Sequence, residues 1–234
     1  HARNIGGGGF MLVYLKNEQK TIAVDFRSAA PKNISKDDYL FLKNNYNQRR
    51  YGYKASAVPG TVAGLLQTHK RFGNLPLKKI LEPVIKQAST GILVSYDLHH
   101  AIGSANQIYL DQESQKIYLD SGVPVKEHFL MKRPDLAWTF GEIAKHGERA
   151  FYSGSIAKKI VDAMQQNEGY INLEDLKSYQ PRFVKPIQTN YRNHKVLAHP
   201  PPAGGAAVLL EGLNIIENFE ADKMGPNSAS FIHI

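Results

Sequence analysis

The chain has 234 residues, 42% of them hydrophobic and 21% charged, the profile of an ordinary globular protein. It carries a formal charge of +8 and no cysteine, which excludes disulfides, thiolate nucleophiles and cysteine-type zinc sites but leaves the redox compartment open. The longest apolar run is far too short to cross a membrane.

The lysines are spread along the whole chain, and spread charge reads as a solvated surface rather than a nucleic-acid footprint. The length suits one or two domains with a sizeable core. Both ends look cut. The chain starts at His1, reaches glycines at once, and stops inside the apolar stretch Phe231-Ile232-His233-Ile234, whereas natural termini are usually polar and loose. We therefore expect a fragment, residues 1–234 forming a single partial domain.

Ile5 to Leu15 and Thr21 to Phe26 are apolar runs around a short polar turn, Asn17-Glu18-Gln19, and read as a β-hairpin. Both runs are nearly continuous, which predicts strands covered on both faces. Ser35, followed by Asp37 and Asp38, reads as a helix start. Asn44 to Lys54 is rich in Asn, Arg and Tyr without a period, and reads as an exposed loop. From Pro59 the chain turns helical, with Val62, Leu65, Leu66 and His69 on one face and Gly73 as the stop. A second helix carries Ile80, Leu81, Val84, Ile85 and Ala88, with Pro83 as a break or kink and Gly91 as the stop.

Ser95 caps a helix to about Ala105. Asp111 to Pro124 reads as a loop with room for a short hairpin. Pro134 opens a helix to His146 that Gly147 ends. Ser153 to Gln166 is helical, and Asn172 with Asp175 three residues on is close to a capping box. Phe183 to Thr189 and Lys195 to Ala198 read as strands. Pro200-Pro201-Pro202 is a rigid turn made flexible by Gly204 and Gly205, and Ala206 to Phe219 is an apolar helix. Strands at the edges with helices between make the fold α+β or layered α/β, not a βαβ alternation.

Few patterns carry chemistry. The run Gly6-Gly7-Gly8-Gly9 lacks the Lys and Ser/Thr of a phosphate loop, because Phe10-Met11 follow. A tight approach to a central strand explains it better than a ligand-binding backbone. Asp25 and Arg27 point the same way from a strand end. They form either a local ion pair or an arginine fork for a carboxylate. The histidines show no metal-ligand spacing, and there is no Gly-x-Ser-x-Gly elbow. The basic and aromatic loop 44–54 has the composition of a single-strand stacking surface, yet it is short and isolated.

Several segments together resemble the γ-glutamyltransferase family. Asn4-Ile5-Gly6-Gly7-Gly8-Gly9-Phe10-Met11 is similar to "GNIGGGGFM". Val24-Asp25-Phe26-Arg27-Ser28-Ala29-Ala30-Pro31 is similar to "LDFREKAP", and Ala57-Val58-Pro59-Gly60-Thr61-Val62-Ala63-Gly64 to "GVPGTVAG". The series continues through Lys70 to Pro76, Leu81 to Ile85, Pro134 to Ala137, Gly147 to Gly154, Leu173 to Leu176 with Tyr179, Asn190-Tyr191-Arg192, the prolines 200–202 and Asn227 to Ala229.

The resemblance implies an N-terminal-nucleophile hydrolase fold, an αββα sandwich that this large-subunit part leaves incomplete. It implies a precursor that cuts itself, and a threonine on the small subunit that attacks the γ-glutamyl amide of glutathione or another donor. That nucleophile and its surroundings are not in this sequence, so no catalytic residue is assigned and the chain is expected to be inactive alone.

One role transfers: Arg27 matches the arginine that holds the donor α-carboxylate. The implied partners are the small subunit of the same precursor and a γ-glutamyl donor. No cofactor, metal, nucleic acid or membrane segment is expected. The implied location is periplasmic, secreted or on the cell surface. Ser28 and Ala203-Gly204 depart from the family pattern, and these departures bear on acceptor and substrate preference more than on fold. A family member acting on poly-γ-glutamate or a β-lactam side chain, or a non-catalytic binding protein on the same scaffold, remains an alternative.

Overall fold

A computed structural model describes residues 4–234; His1, one of the two ends read as cut, lies outside them. Strands β1 (Phe10–Leu15) and β2 (Lys20–Asp25) form the expected antiparallel hairpin, with Phe10 opposite Asp25 and Leu15 opposite Lys20. A single 3₁₀ turn joins them and closes on Gln19 in the left-handed region at φ 49°. Helix α1 (Lys36–Asn44) starts where Ser35 predicts: its hydroxyl accepts from the Asp38 N–H at 3.0 Å, and the Asp38 carboxylate accepts from the Ser35 N–H at 2.9 Å.

The segment read as a loop from Asn44 to Lys54 is instead helix α2 (Tyr46–Arg50) and a 3₁₀ turn, Tyr53–Ala55. The guanidinium groups of Arg49 and Arg50 lie 5.6 and 5.2 Å from the Tyr46 ring centre. Contacts three and four residues apart stabilise a turn that hydrophobic periodicity does not reveal. Its exposure is as expected, since Tyr46 to Arg50 all face solvent.

Helix α3 (Thr61–Phe72) ends at Gly73 as expected, but its buried face is rotated. Val62, Ala63, Gly64 and Thr68 are buried, whereas Leu65 is turned outward. The small residues face inward because Gly64 lies against the Phe26 ring, where any Cβ would collide with it. Helix α4 (Leu77–Thr90) runs through Pro83 without a break and ends at Gly91, φ 98°. Proline deprives the Lys79 carbonyl of its partner; α4 buries no residue fully, so water can replace it.

Strand β3 (Ile92–Leu93) leads to helix α5 (Tyr96–Gly103), capped by the Ser95 hydroxyl accepting from the Leu98 N–H at 3.2 Å. The region read as a loop after Asp111 contains helix α6 (Gln112–Tyr118), whose cap is Asp111 accepting from the Ser114 N–H at 2.7 Å. The short hairpin follows as β4 (Leu119–Asp120) and β5 (Val123–Pro124), and β6 (Leu130–Met131) pairs with β3. Helix α7 (Pro134–His146) begins on its proline and ends at Gly147, φ 60°. Helices α8 (Glu148–Tyr152) and α9 (Ser155–Gln166) come next. Helix α10 (Leu173–Ser178) has the full capping box of Asn172 and Asp175. Pro186 divides the next expected strand into β7 (Arg182–Val184) and β8 (Ile187–Tyr191), and β9 (His194–Ala198) returns beside β8. Helices α11 (Gly204–Ile216) and α12 (Ala229–His233) complete the described residues.

The principal sheet has the order β1-β2-β7, so β2 is central and β1 is an edge. This corrects the expectation of two fully covered strands. Ala23, Val24 and Asp25 of β2 are buried, while Phe10, Leu12 and Tyr14 of β1 alternate outward and are exposed. A continuous apolar run cannot distinguish coverage by this chain from coverage by something else. The main core lies beside the sheet, where Val62 of α3, Phe151 of α8, Ile156 of α9 and Leu176 of α10 pack together with Val58. The mixture is α+β, as expected. No helix among the described residues is long and apolar enough to cross a membrane.

Leu176 is 0% exposed and Leu209 on α11 is 52% exposed. Leu176→Ala should therefore cost about 2–5 kcal/mol in a urea-unfolding comparison, and Leu209→Ala under about 0.5 kcal/mol. Strand β1 presents an unpaired backbone edge beside exposed Leu12, the arrangement that invites strand addition between copies. Leu12→Lys should lower the aggregated fraction of the chain produced alone, measured by analytical sedimentation.

Candidate functional site

The hairpin delivers Asp25 to the end of the central strand, and the chain then bends so that Phe26 is buried and Arg27 is exposed. Asp25 is only 5% exposed, and a buried carboxylate must have its hydrogen bonds met. Its Oδ1 accepts from the Arg27 backbone N–H at 2.9 Å. Its Oδ2 accepts from Arg182 across the β2–β7 ladder, through Nε at 3.2 Å and through the terminal amino group as an ion pair. The ion pair that Asp25 makes is thus with Arg182. The Arg27 guanidinium has no side-chain partner among the described residues, and the local pair considered for Asp25 and Arg27 does not form.

Two close approaches set the bend. Gly9 and Phe26 exchange backbone hydrogen bonds of 3.2 and 3.0 Å, and the Gly7 carbonyl accepts from the N–H groups of Gly60 and Thr61 at 2.8 and 3.0 Å. A Cβ on Gly8 would strike the backbone of Phe26 to Ser28, and one on Gly60 would strike the Phe26 carbonyl and the Tyr179 ring. The tetraglycine run is accordingly a packing device. It lets the strand approach lie against the segment that carries Arg27; the tight approach is as expected, but the strand it enters, β1, is an edge and not a central strand.

Tyr179 completes the support. Its hydroxyl donates to the Arg27 carbonyl at 2.8 Å, and its ring stacks on Tyr152 with centroids 5.9 Å apart. Burial and the nearby Asp25 charge push the Tyr179 phenol up to about 12, so the proton it donates stays in place at neutral pH. Burial likewise pushes the Tyr152 phenol upward. That hydroxyl donates to the Pro59 carbonyl at 2.8 Å and accepts from the Ala63 N–H at 3.1 Å, fixing the start of α3.

These segments enclose an open cavity of about 440 Å³. One part of its wall is Asp25 and Arg27 to Ala30 with Lys32; the others are Val58, Asp175 with Ser178 to Gln180, Arg182, and Pro202. Arg27, the one substrate-binding residue expected from the sequence, therefore lines a cleft. Lys32, Tyr179 and Arg182 were not singled out for this site. Tyr179 stood only as part of a motif, and no local pattern signals that Arg182 lies opposite Asp25, 157 residues away. Among the described residues no group of His, Asp or Glu is arranged to hold a metal ion.

Known proteins resemble this chain over its whole length. The family model described as Gamma-glutamyltranspeptidase matches residues 1–234. The chain is 36% identical over 237 residues to the glutathione hydrolase proenzyme of Escherichia coli K12 and 38% identical over 237 residues to that of Pseudomonas aeruginosa. Each match takes in 100% of this chain but only 41% and 42% of those relatives, so the chain spans about two fifths of their length. The crystal structure of Helicobacter pylori γ-glutamyltranspeptidase superposes with a TM-score of 0.92 at 34% identity, covering 99% of this chain and 67% of that one. A match over every residue, together with a shared fold, shows that the chain belongs to the γ-glutamyltranspeptidase family.

Proposed function

We propose that this chain is part of the large subunit of a γ-glutamyltransferase and that Arg27 holds the α-carboxylate of the γ-glutamyl donor. The observation that carries this reading is an unpartnered guanidinium lining an open cavity while its neighbouring acid is committed to another arginine. A free planar fork suits two parallel hydrogen bonds to a carboxylate. The donor is glutathione or a related γ-glutamyl amide, and the relatives' name, glutathione hydrolase proenzyme, supports that choice.

On this reading the chemistry belongs to a small subunit released from the same precursor. Its N-terminal threonine hydroxyl adds to the γ-carbonyl, its amine takes the hydroxyl proton, and the proton passes to the departing amine as the amide bond breaks. Water or an amino acid then resolves the acyl-enzyme, giving hydrolysis or transfer. Arg27 supplies orientation: it holds the end of the donor remote from the scissile bond, and such remote binding positions the reacting carbonyl. The exposed edge of β1 and the exposed residues Val208, Leu209 and Ile215 of α11 are the surfaces we assign to the small subunit. The protein acts outside the cytoplasm, in the periplasm, in the medium or at the cell surface.

The test uses the complete protein and γ-glutamyl-p-nitroanilide. Arg27→Ala should raise KM at least about thirtyfold with a smaller change in kcat, the signature of lost binding in a charge pair worth about 2 kcal/mol or more. Arg27→Lys should recover only part of the loss, because an ammonium cannot reproduce the fork. Wild-type kinetics in both variants remove Arg27 from the site. A complete protein that binds glutamate through Arg27 yet releases no p-nitroaniline is a binding protein on the same scaffold.

A further inference from the structure

The cavity beside Arg27 is lined by more cations than acids, and only one of those cations has an acid as its partner. Five side chains charged at neutral pH line it: Asp25, Arg27, Lys32, Asp175 and Arg182. The two acids are turned inward. Asp25 is 5% exposed, with one oxygen on the Arg27 N–H and the other on Arg182. Asp175 is 3% exposed, with Oδ1 accepting from the Lys32 backbone N–H at 2.9 Å and Oδ2 from the Asn172 N–H at 3.1 Å. Their oxygens hold the walls together, Asp25 through an ion pair with Arg182 and Asp175 through backbone N–H groups.

The cations differ. Arg182 is paired with Asp25. Arg27 and Lys32 are both exposed, and neither side chain has a hydrogen-bonding or ionic partner among the described residues. Lys32 is nonetheless not a loose surface residue, because Asp175 anchors its backbone from 143 positions away. The same carboxylate caps α10, which leads into Tyr179, the residue supporting Arg27. One fixed wall thus carries two cations without an ion-pair partner among the described residues, beside one cavity. Two unmatched charges of one sign in a single cleft repel each other and attract a ligand with two opposite charges.

We infer that Lys32 is a specificity-determining residue that reads a second carboxylate on the donor, carried by the leaving group, while Arg27 reads the first. The inference rests on the γ-glutamyl reading above and narrows its substrate class. Donors whose departing amine bears an acid, such as a peptide with a free C-terminus, are preferred over donors with a neutral leaving group. Lys32 takes no part in bond cleavage.

Two chromogenic donors isolate the charge: γ-glutamyl-4-nitroanilide and γ-glutamyl-3-carboxy-4-nitroanilide differ by one carboxylate. The readout is the ratio of their kcat/KM values in the complete protein. Lys32→Ala should lower the ratio of acidic to plain donor about fivefold, the scale of a solvent-exposed charge pair. Lys32→Glu should lower it further, and Lys32→Arg should restore it. The wild-type preference should shrink as salt rises from roughly 0.01 to 0.5 M, because exposed charges are screened. The substitutions leave the Lys32 N–H and its bond to Asp175 intact, so the fold is not at issue.

Turnover of both donors with a ratio indifferent to residue 32 overturns the inference and leaves the γ-glutamyl reading standing. Failure of the wild type to turn over either donor overturns both.

Discussion

The buried carboxylate of Asp25 is the point on which the site depends. It sits at the end of β2, pairs in register with Arg182 of β7, and accepts from the backbone of Arg27. Removing a carboxylate from water costs several kcal/mol, and the cost is met only when its acceptor sites are filled. Here they are filled by two donors far apart in sequence. The bond to Arg182 fixes where β7 joins the sheet, and the bond to the Arg27 N–H fixes the bend after β2. Because Arg182 holds the charge of Asp25, Arg27 does not have to. A direct Asp25–Arg27 pair would have left the arginine satisfied and unavailable to a ligand.

The second constraint is steric. The bend is possible only because glycine backbone lies against it on two sides, Gly8 from the strand approach and Gly60 from the start of α3. Tyr179 closes the third side by its hydrogen bond to the Arg27 carbonyl, and Tyr152, stacked on Tyr179, ties that support to the core. The main core is thus tied to the backbone that carries one exposed guanidinium. Precise geometry on a rigid scaffold is what a binding site for a small charged group needs.

Local chemistry was legible in the sequence wherever the controlling groups are neighbours along the chain. The caps at Ser35, Ser95 and Asn172 and the ends of α7 at Pro134 and Gly147 fall where the sequence predicts. So does the hairpin, whose turn needs only a few polar residues. Features decided at a distance were not legible. The face that α3 buries follows from the Phe26 ring against Gly64, not from its own periodicity. Helix α2 owes its turn to arginines over Tyr46, which reads in a sequence as a polar stretch. The edge position of β1 depends on which strands lie beside it, and a run of apolar residues does not say. Arg27 was singled out only through a multi-segment resemblance, since an Asp-x-Arg triplet alone favours the ion pair that the structure does not form. The places of Arg182 and Lys32 in the cavity wall carried no signal, because they are set by contacts with Asp25 and Asp175 from 157 and 143 residues away.

That engagement also divides the labour of recognition. An α-amino acid donor brings an ammonium as well as a carboxylate, and the ammonium needs an acceptor. In this cavity each oxygen of Asp25 and Asp175 already takes a hydrogen bond and both side chains are buried, while the Arg27 carbonyl is held by Tyr179. These residues are complementary to the anionic parts of such a donor and leave its cationic part unmet. On the γ-glutamyl reading, whatever covers the open edge of β1 has to bring an acid as well as a nucleophile. The two requirements reinforce each other: a cleft whose acids are buried and already hydrogen-bonded holds a zwitterion poorly, and a further acid would meet the ammonium. Selectivity for the amino-acid end of the donor would then arise at the junction of the two, with this chain contributing the half that grips carboxylates.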